Sequence, residues 1–151
     1  MGNIQLLLRQ HVGAPCEPVV KAGDLVKKGT LVAKPTGLGA NIFSSVYGVV
    51  EEIKEDRIVI RPDEEQPDEY EKIPEGTPLE MVKAAGVVGM GGAGFPTGIK
   101  LDAHLDHGYI LINAAECEPG LYHNIRQIEQ QSDKIVRGVK YCMDIAGADK
   151  A

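Results

Sequence analysis

The stretch RPDEEQPDEYEKIPEGTP, residues 61–78, restricts the fold most, because it cannot lie inside a core. It carries Pro62, Pro67 and Pro74 ahead of Pro78 and shows almost no apolar periodicity, so neither a sheet ladder nor a long helix can run through it. Residues 51–75 hold eleven acids against four bases, a local charge of −7 in a chain whose total is −6. Such a segment reads as a solvated connector between two folded parts. The expected organisation is a domain over 1–62, an acidic linker over 63–78 and a second domain over 79–151.

Before the linker, short β-type runs at 17–20, 25–27, 31–34, 42–46, 49–53 and 57–61 alternate with the turn signals AGD, KKGT, PTGLG and YG, the pattern of a small all-β unit. Its two apolar ladders, VVKAGDLVKKGTLVA and SSVYGVVEEI, resemble the halves of a biotinyl/lipoyl-type barrel sandwich, in which paired hairpins close over one core. Carrier domains of that type present a lysine at the hairpin tip. Here the tip reads PTGLGANIF, and Lys34 is followed at once by Pro35, which marks it as a strand end. A docking or structural module fits better than an acyl carrier.

After the linker the pattern becomes α/β. PLEMVKAAG (78–86) has helical spacing and closes at Gly86. A second short helix is expected over 96–105, with Pro96 in its first turn. YILIN (109–113) is apolar and β-branched enough for a buried strand. From Ile125 to Ala146, apolar residues recur at three- and four-residue steps and end at Gly147, which predicts an amphipathic helix of about 22 residues. No second parallel strand follows for YILIN to pair with, although parallel sheets are built from repeated βαβ units. The chain therefore reads as the N-terminal part of a longer polypeptide.

Several classes of function fall away on composition. No apolar run approaches the 18 or so residues of a membrane span, and MGNIQLLLRQHVG is too short and polar for a secretory signal. Leu6 stands where a myristoylation motif requires Ser or Thr. Cys16, Cys117 and Cys142 are odd in number and far apart, so they form neither a disulfide framework nor a metal ligand set, and a reducing cytoplasm is the expected compartment. With a pI near 5.2 there is no basic stripe for nucleic acid. Direct membrane insertion is likewise not expected.

The strongest chemical signal is GVVGMGGAGFPTGIK, residues 86–100, with six glycines in fifteen positions. Glycine permits positive φ and removes the β-carbon, so that successive N–H groups can converge on phosphate oxygens and a planar ring can approach the main chain. Gly89, Gly91 and Gly94 satisfy G-x-G-x-x-G, but a helix-like segment rather than a strand precedes them. A tight loop that packs on a helix without a ligand is the structural alternative. Lys100 suits a phosphate or plain solvent, and Phe95 suits a stacked purine or the core.

Asn113, Glu116 and Glu118 follow the carboxyl end of the YILIN strand, where open α/β sheets bind ligands. Carboxylates there can accept hydrogen bonds from ribose hydroxyls or ring N–H groups, and an asparagine amide suits a ring edge. Cys117 has no CxxC partner and no adjacent cation, so thiol chemistry is not expected. His11, His104, His107 and His123 lack metal-ligand spacing and read as ordinary surface or helix-end histidines.

Together GMGGAGFPTGIK (89–100) and INAAECEPG (112–120) resemble the flavin-binding core shared by the RnfC subunit family and the NADH-binding flavoprotein subunit of respiratory complex I. QHVGAPCEPVVKAGDLVKKGTLVA extends the resemblance to the N-terminal segment of RnfC, so that it covers nearly the whole chain. Within the family the sequence is most similar to the RnfC-like branch associated with D-proline reductase. The resemblance implies a barrel-sandwich domain followed by the start of a Rossmann-like FMN/NADH-binding α/β domain, with FMN and NAD(H) as cofactors and hydride passing between them. By motif, Gly89, Gly91, Gly92, Ala93, Gly94 and Lys100 would serve nucleotide phosphates. Asn113 and Glu116 would contact flavin; Glu118 and Phe95 would contact NAD(H).

The chain departs from the complex I pattern at Met90, Ala103 and Ala115, where that pattern has arginine, an aromatic and aspartate. The CxxCxxCxxxCP motifs for [4Fe–4S] clusters are absent from this sequence and expected beyond it. The implied function is NADH-linked electron transfer, in partnership with a reductase or the subunits of an electron-transport complex, in the cytoplasm or peripheral to the inner face of the membrane. The alternative is a non-catalytic docking module for such a complex.

Overall fold

The computed structural model describes residues 2–90 and 92–151, which form two compact units, Met1–Ile99 and Lys100–Ala151. Among the described residues the first unit has two antiparallel sheets. One has the spatial order β1 (Ile4–Leu7), β7 (Arg57–Pro62), β6 (Gly48–Ile53), β3 (Leu25–Val26); the other runs β2 (Cys16–Pro18), β4 (Leu31–Pro35), β5 (Ile42–Phe43). Every expected run carries strand. β1 was not expected: IQLL is only four residues long, yet it alternates half-buried and exposed side chains and pairs Ile4 with Ile60 and Leu6 with Ile58.

Both sheets feed one core, in which Val32, Val50, Ile58 and Ile60 are wholly buried beside Cys16, Val26 and Ile42. Each such aliphatic side chain contributes about 1.5–3 kcal/mol by leaving water. The turns follow from their sequences. Gly23 and Gly29 adopt φ of 93° and 85°, a region closed to most side chains. Beside them the Asp24 carboxylate accepts from Lys21 N–H at 2.9 Å and the Thr30 hydroxyl from Lys27 N–H at 2.9 Å. This is the barrel-sandwich fold, with no lysine at the tip between β4 and β5.

The acidic segment has neither helix nor strand, but it is fastened to the barrel rather than loose. Gln66 donates to Tyr47 O at 2.8 Å and accepts from Tyr47 N–H at 2.9 Å, Tyr47 Oη donates to Glu69 O, and Glu71 N–H donates to Lys28 O. It leads into α1 (Pro78–Ala84), where Thr77 and Glu80 form a capping box and Gly86 follows with φ 66°, a helix start and stop legible in TPLE and G. The expected second helix is short, α2 (Thr97–Leu101). His104 and His107 beyond it have φ of 47° and 56°, which no helix tolerates.

In the second unit β8 (Gly108–Tyr109), α3 (His123–Ala146) and β9 (Ala148–Lys150) form one βαβ unit, with Gly108 opposite Ala148 and Tyr109 opposite Lys150 in parallel pairing. This overturns the expectation that YILIN has no parallel partner. ADK was overlooked because three polar-flanked residues carry no strand signal of their own. The buried strand over 109–113 is also corrected. Only its first residue is strand, and Leu111 is 87% exposed; β9 is its one neighbour among the described residues, and one short neighbour cannot bury an apolar run. α3 ends at Gly147 with φ 76° and departs from helical geometry at Gln131.

Candidate functional site

The glycine-rich loop is a closed hairpin in the first unit. Val88 and Pro96 bridge antiparallel, Gly89 N–H donates to Phe95 O at 3.0 Å, and Thr97 N–H donates to Val87 O at 2.8 Å. A third bond ties it to the barrel, from Val12 N–H to Ala93 O at 3.0 Å.

The glycines divide by what a β-carbon would meet. At Gly86 it would stand 2.4 Å from Asn41 O, at Gly98 2.5 Å from Lys83 Cγ, and at Gly94, which has φ 68°, 3.1 Å from His11 Cα. These three are required by packing. Gly92 is different: it is exposed, no atom lies within 4 Å of its missing β-carbon, and Ala93 beside it is also exposed. An open stretch of backbone bearing nothing larger than the Ala93 methyl, with the Ala93 carbonyl turned to the barrel, suits an anion at its amides. Gly91 lies outside the described residues. Phe95 is half-buried, Met90 is 86% exposed, and Lys100 lies in the last turn of α2.

The acidic loop belongs to the second unit. Asn113 Oδ1 accepts from Ala115 N–H at 3.0 Å, an Asx turn. Asn113 also lines a cavity of about 240 Å³ with Ile112, Asn124, Ile128 and Ile135. Glu116 is engaged with the protein: its Oε1 accepts the N–H groups of Asn124 at 2.8 Å and Ile125 at 3.2 Å. It thereby caps α3 from outside, because the helix's own N-cap, Tyr122, makes no side-chain bond. Its Oε2 is buried 3.2 Å from His123 Nδ1 without the alignment of a hydrogen bond. Glu118 and Cys117 are exposed.

His11 is the residue that sequence reasoning missed. Read as an ordinary surface histidine, it is 7% exposed and hydrogen-bonded on both ring nitrogens. Nothing local marks it, since its partner Ala40 lies 29 residues away. Among the described residues no three His, Cys, Asp or Glu side chains gather as a metal site, and no helix is long and apolar enough to cross a membrane.

Residues 2–66 match the family model described as the RnfC barrel sandwich hybrid domain, and residues 82–151 match the Nuo51 FMN-binding domain. Fold and matches together define a chain in which a barrel sandwich precedes the opening elements of an α/β flavin-domain fold. Over nearly its whole length the chain is similar to RnfC-type subunits, through an RnfC barrel-sandwich part and a Nuo51 FMN-binding part. It is 40% identical, over 95% of its length, to the C subunit of the proton-translocating ferredoxin:NAD(+) oxidoreductase complex of Clostridium ljungdahlii. It is 40% identical, over 90% of its length, to the C subunit of the ion-translocating oxidoreductase complex of Rhodobacter capsulatus. Over 69 residues, 46% of the chain and 15% of the relative, it is 52% identical to the cobalamin reductase PduS of Salmonella typhimurium. The chain spans about a third of the clostridial and Rhodobacter relatives, 36% and 30% of their lengths.

Proposed function

We propose that the chain supplies FMN- and NAD(H)-binding elements of an NADH-linked electron-transfer flavoprotein. The observation that carries this reading is the open backbone at Gly92–Ala93, held by a closed hairpin inside a segment that matches an FMN-binding domain family. FMN, when bound, accepts hydride from NADH and releases the electrons singly.

This chain's own residues bind and orient. In the first unit the amides of Gly91, Gly92 and Ala93 are assigned to nucleotide phosphates and Phe95 to NAD(H), while Gly89, whose N–H is given to Phe95 O, and Gly94, packed on His11, shape the loop. In the second unit Lys100 is assigned to phosphates, Asn113 to flavin and Glu118 to NAD(H), while Glu116 holds the start of α3. Hydride transfer needs aligned rings more than acid–base groups, so no side chain is assigned a proton-transfer role. The [4Fe–4S] clusters that would take the electrons onward are assigned to other parts of the intact protein. Because the clostridial and Rhodobacter relatives are subunits of oxidoreductase complexes, the barrel sandwich is assigned to docking such a complex, at the cytoplasmic side of a membrane.

The test is an equilibrium titration of FMN against the intact protein, followed by flavin fluorescence. Saturable quenching supports the reading, and unchanged fluorescence at high protein concentration rejects it.

A further inference from the structure

His11 lies between β1 and β2, and its ring enters the tip between β4 and β5, the place where a carrier domain would present its lysine. There Nε2 accepts the Ala40 N–H at 3.1 Å and lies 3.4 Å from Cys16 Sγ, while Nδ1 lies 3.0 Å from Val12 O. Nε2 also lies 3.1 Å from Ala40 O, but Val12 O can only accept, so the ring proton is placed on Nδ1 and Nε2 is left to accept the Ala40 N–H. The Cys16 thiol, pushed up by burial, donates to Ala40 O at 3.3 Å. Gly39 admits the ring: a β-carbon there would stand 2.6 Å from Cε1.

The backbone of the same segment touches the glycine-rich loop. Val12 N–H holds Ala93 O at 3.0 Å, and Gly94 is buried with its absent β-carbon 3.1 Å from His11 Cα and 3.2 Å from Gln10 O. Glycine-rich backbone loses the most entropy on ordering, and a site that must converge on a ligand binds best when ordered in advance. His11 joins the two requirements, with its ring in the barrel and its main chain on the loop.

We propose that the barrel sandwich sets the conformation of the glycine-rich loop and that His11 is the positioning residue through which it does so. The proposal rests on the assignment of that loop to a nucleotide.

The test compares three variants of the intact protein: His11→Ala, His11→Gln, whose amide oxygen can reach the Ala40 N–H, and Val32→Ala, a core cavity away from the loop. Melting temperature, hydrogen exchange over residues 86–96 without ligand, and FMN affinity are measured for each. His11→Ala should exchange in that segment about tenfold faster and bind FMN about tenfold more weakly, with His11→Gln recovering most of both. Val32→Ala, even where it melts as low, should keep affinity within about twofold. If His11→Ala does not fold, an intermediate loss in folded His11→Gln that exceeds that of Val32→Ala supports the proposal. Wild-type exchange and affinity in folded His11→Ala, or equal losses in all three variants, would overturn it. Wild-type protein that takes up no FMN would instead defeat the nucleotide assignment, and the proposal with it.

Discussion

The Glu116 carboxylate accepts the Asn124 backbone N–H at 2.8 Å. A residue eight positions upstream thus does what the N-cap Tyr122 does not, satisfying amides that a helix start leaves open. Glu116→Ala should therefore destabilise the second unit by about 1–2 kcal/mol, the usual cost of a lost cap. Urea unfolding followed at 222 nm measures this. An unchanged midpoint would show that the cap contributes nothing.

Gly92 and Gly94 should respond oppositely to alanine. Gly94→Ala places a side chain at φ 68° against His11, which should cost about 1–3 kcal/mol of stability. Gly92→Ala meets no neighbouring atom, so stability should stay within about 0.5 kcal/mol while FMN affinity falls about tenfold. Paired unfolding curves and FMN titrations decide. Equal affinity for Gly92→Ala and wild type would place the phosphates elsewhere.

Thr77 holds the Glu80 carboxyl below the ordinary glutamate range, through its backbone N–H and then its hydroxyl. A depressed carboxyl stabilises the folded state fully above its unfolded pKa and loses that contribution as pH falls through the folded value. The start of α1 should hence fray as pH is lowered through the carboxylate range and re-form on return. Amide exchange at Met81 reports it, and pH-independent protection would contradict the capping box.

Three free thiols sit in different environments: Cys117 is exposed, Cys142 half-buried and Cys16 buried, and burial pushes the latter two up. A chromogenic disulfide reagent should label Cys117 rapidly, and Cys16 only on unfolding. Labelling of Cys16 at the Cys117 rate would mean that the His11 socket opens readily.

The barrel was legible because its strands alternate and its turns carry Gly, Asp and Thr at positions with one physical solution. α3 was legible for the same reason, from its apolar steps to Gly147. β1 and β9 were not, being three or four residues long and visible only through the partners Ile60 and Gly108. The YILIN run was over-read because apolar continuity reports a tendency to be buried, not the neighbour that buries it. Of the candidate residues, Gly92 is open, whereas Gly94 and Glu116 have protein partners whose pairing depends on tertiary contacts. The His11 socket joins segments that no local pattern connects.

Glu118 is exposed and makes no side-chain bond among the described residues. Glu118→Gln should slow NADH reduction of bound flavin about tenfold or more while leaving flavin content unchanged. Anaerobic stopped-flow absorbance measures the rate, and equal rates would remove Glu118 from the nicotinamide site.

The most direct measurement is anaerobic titration of the FMN-reconstituted intact protein with NADH, read at the flavin band near ~450 nm. The flavin should bleach at stoichiometric NADH, as two nucleotides sharing one redox site require. Flavin that binds but stays oxidised through excess NADH would contradict the NADH-linked function.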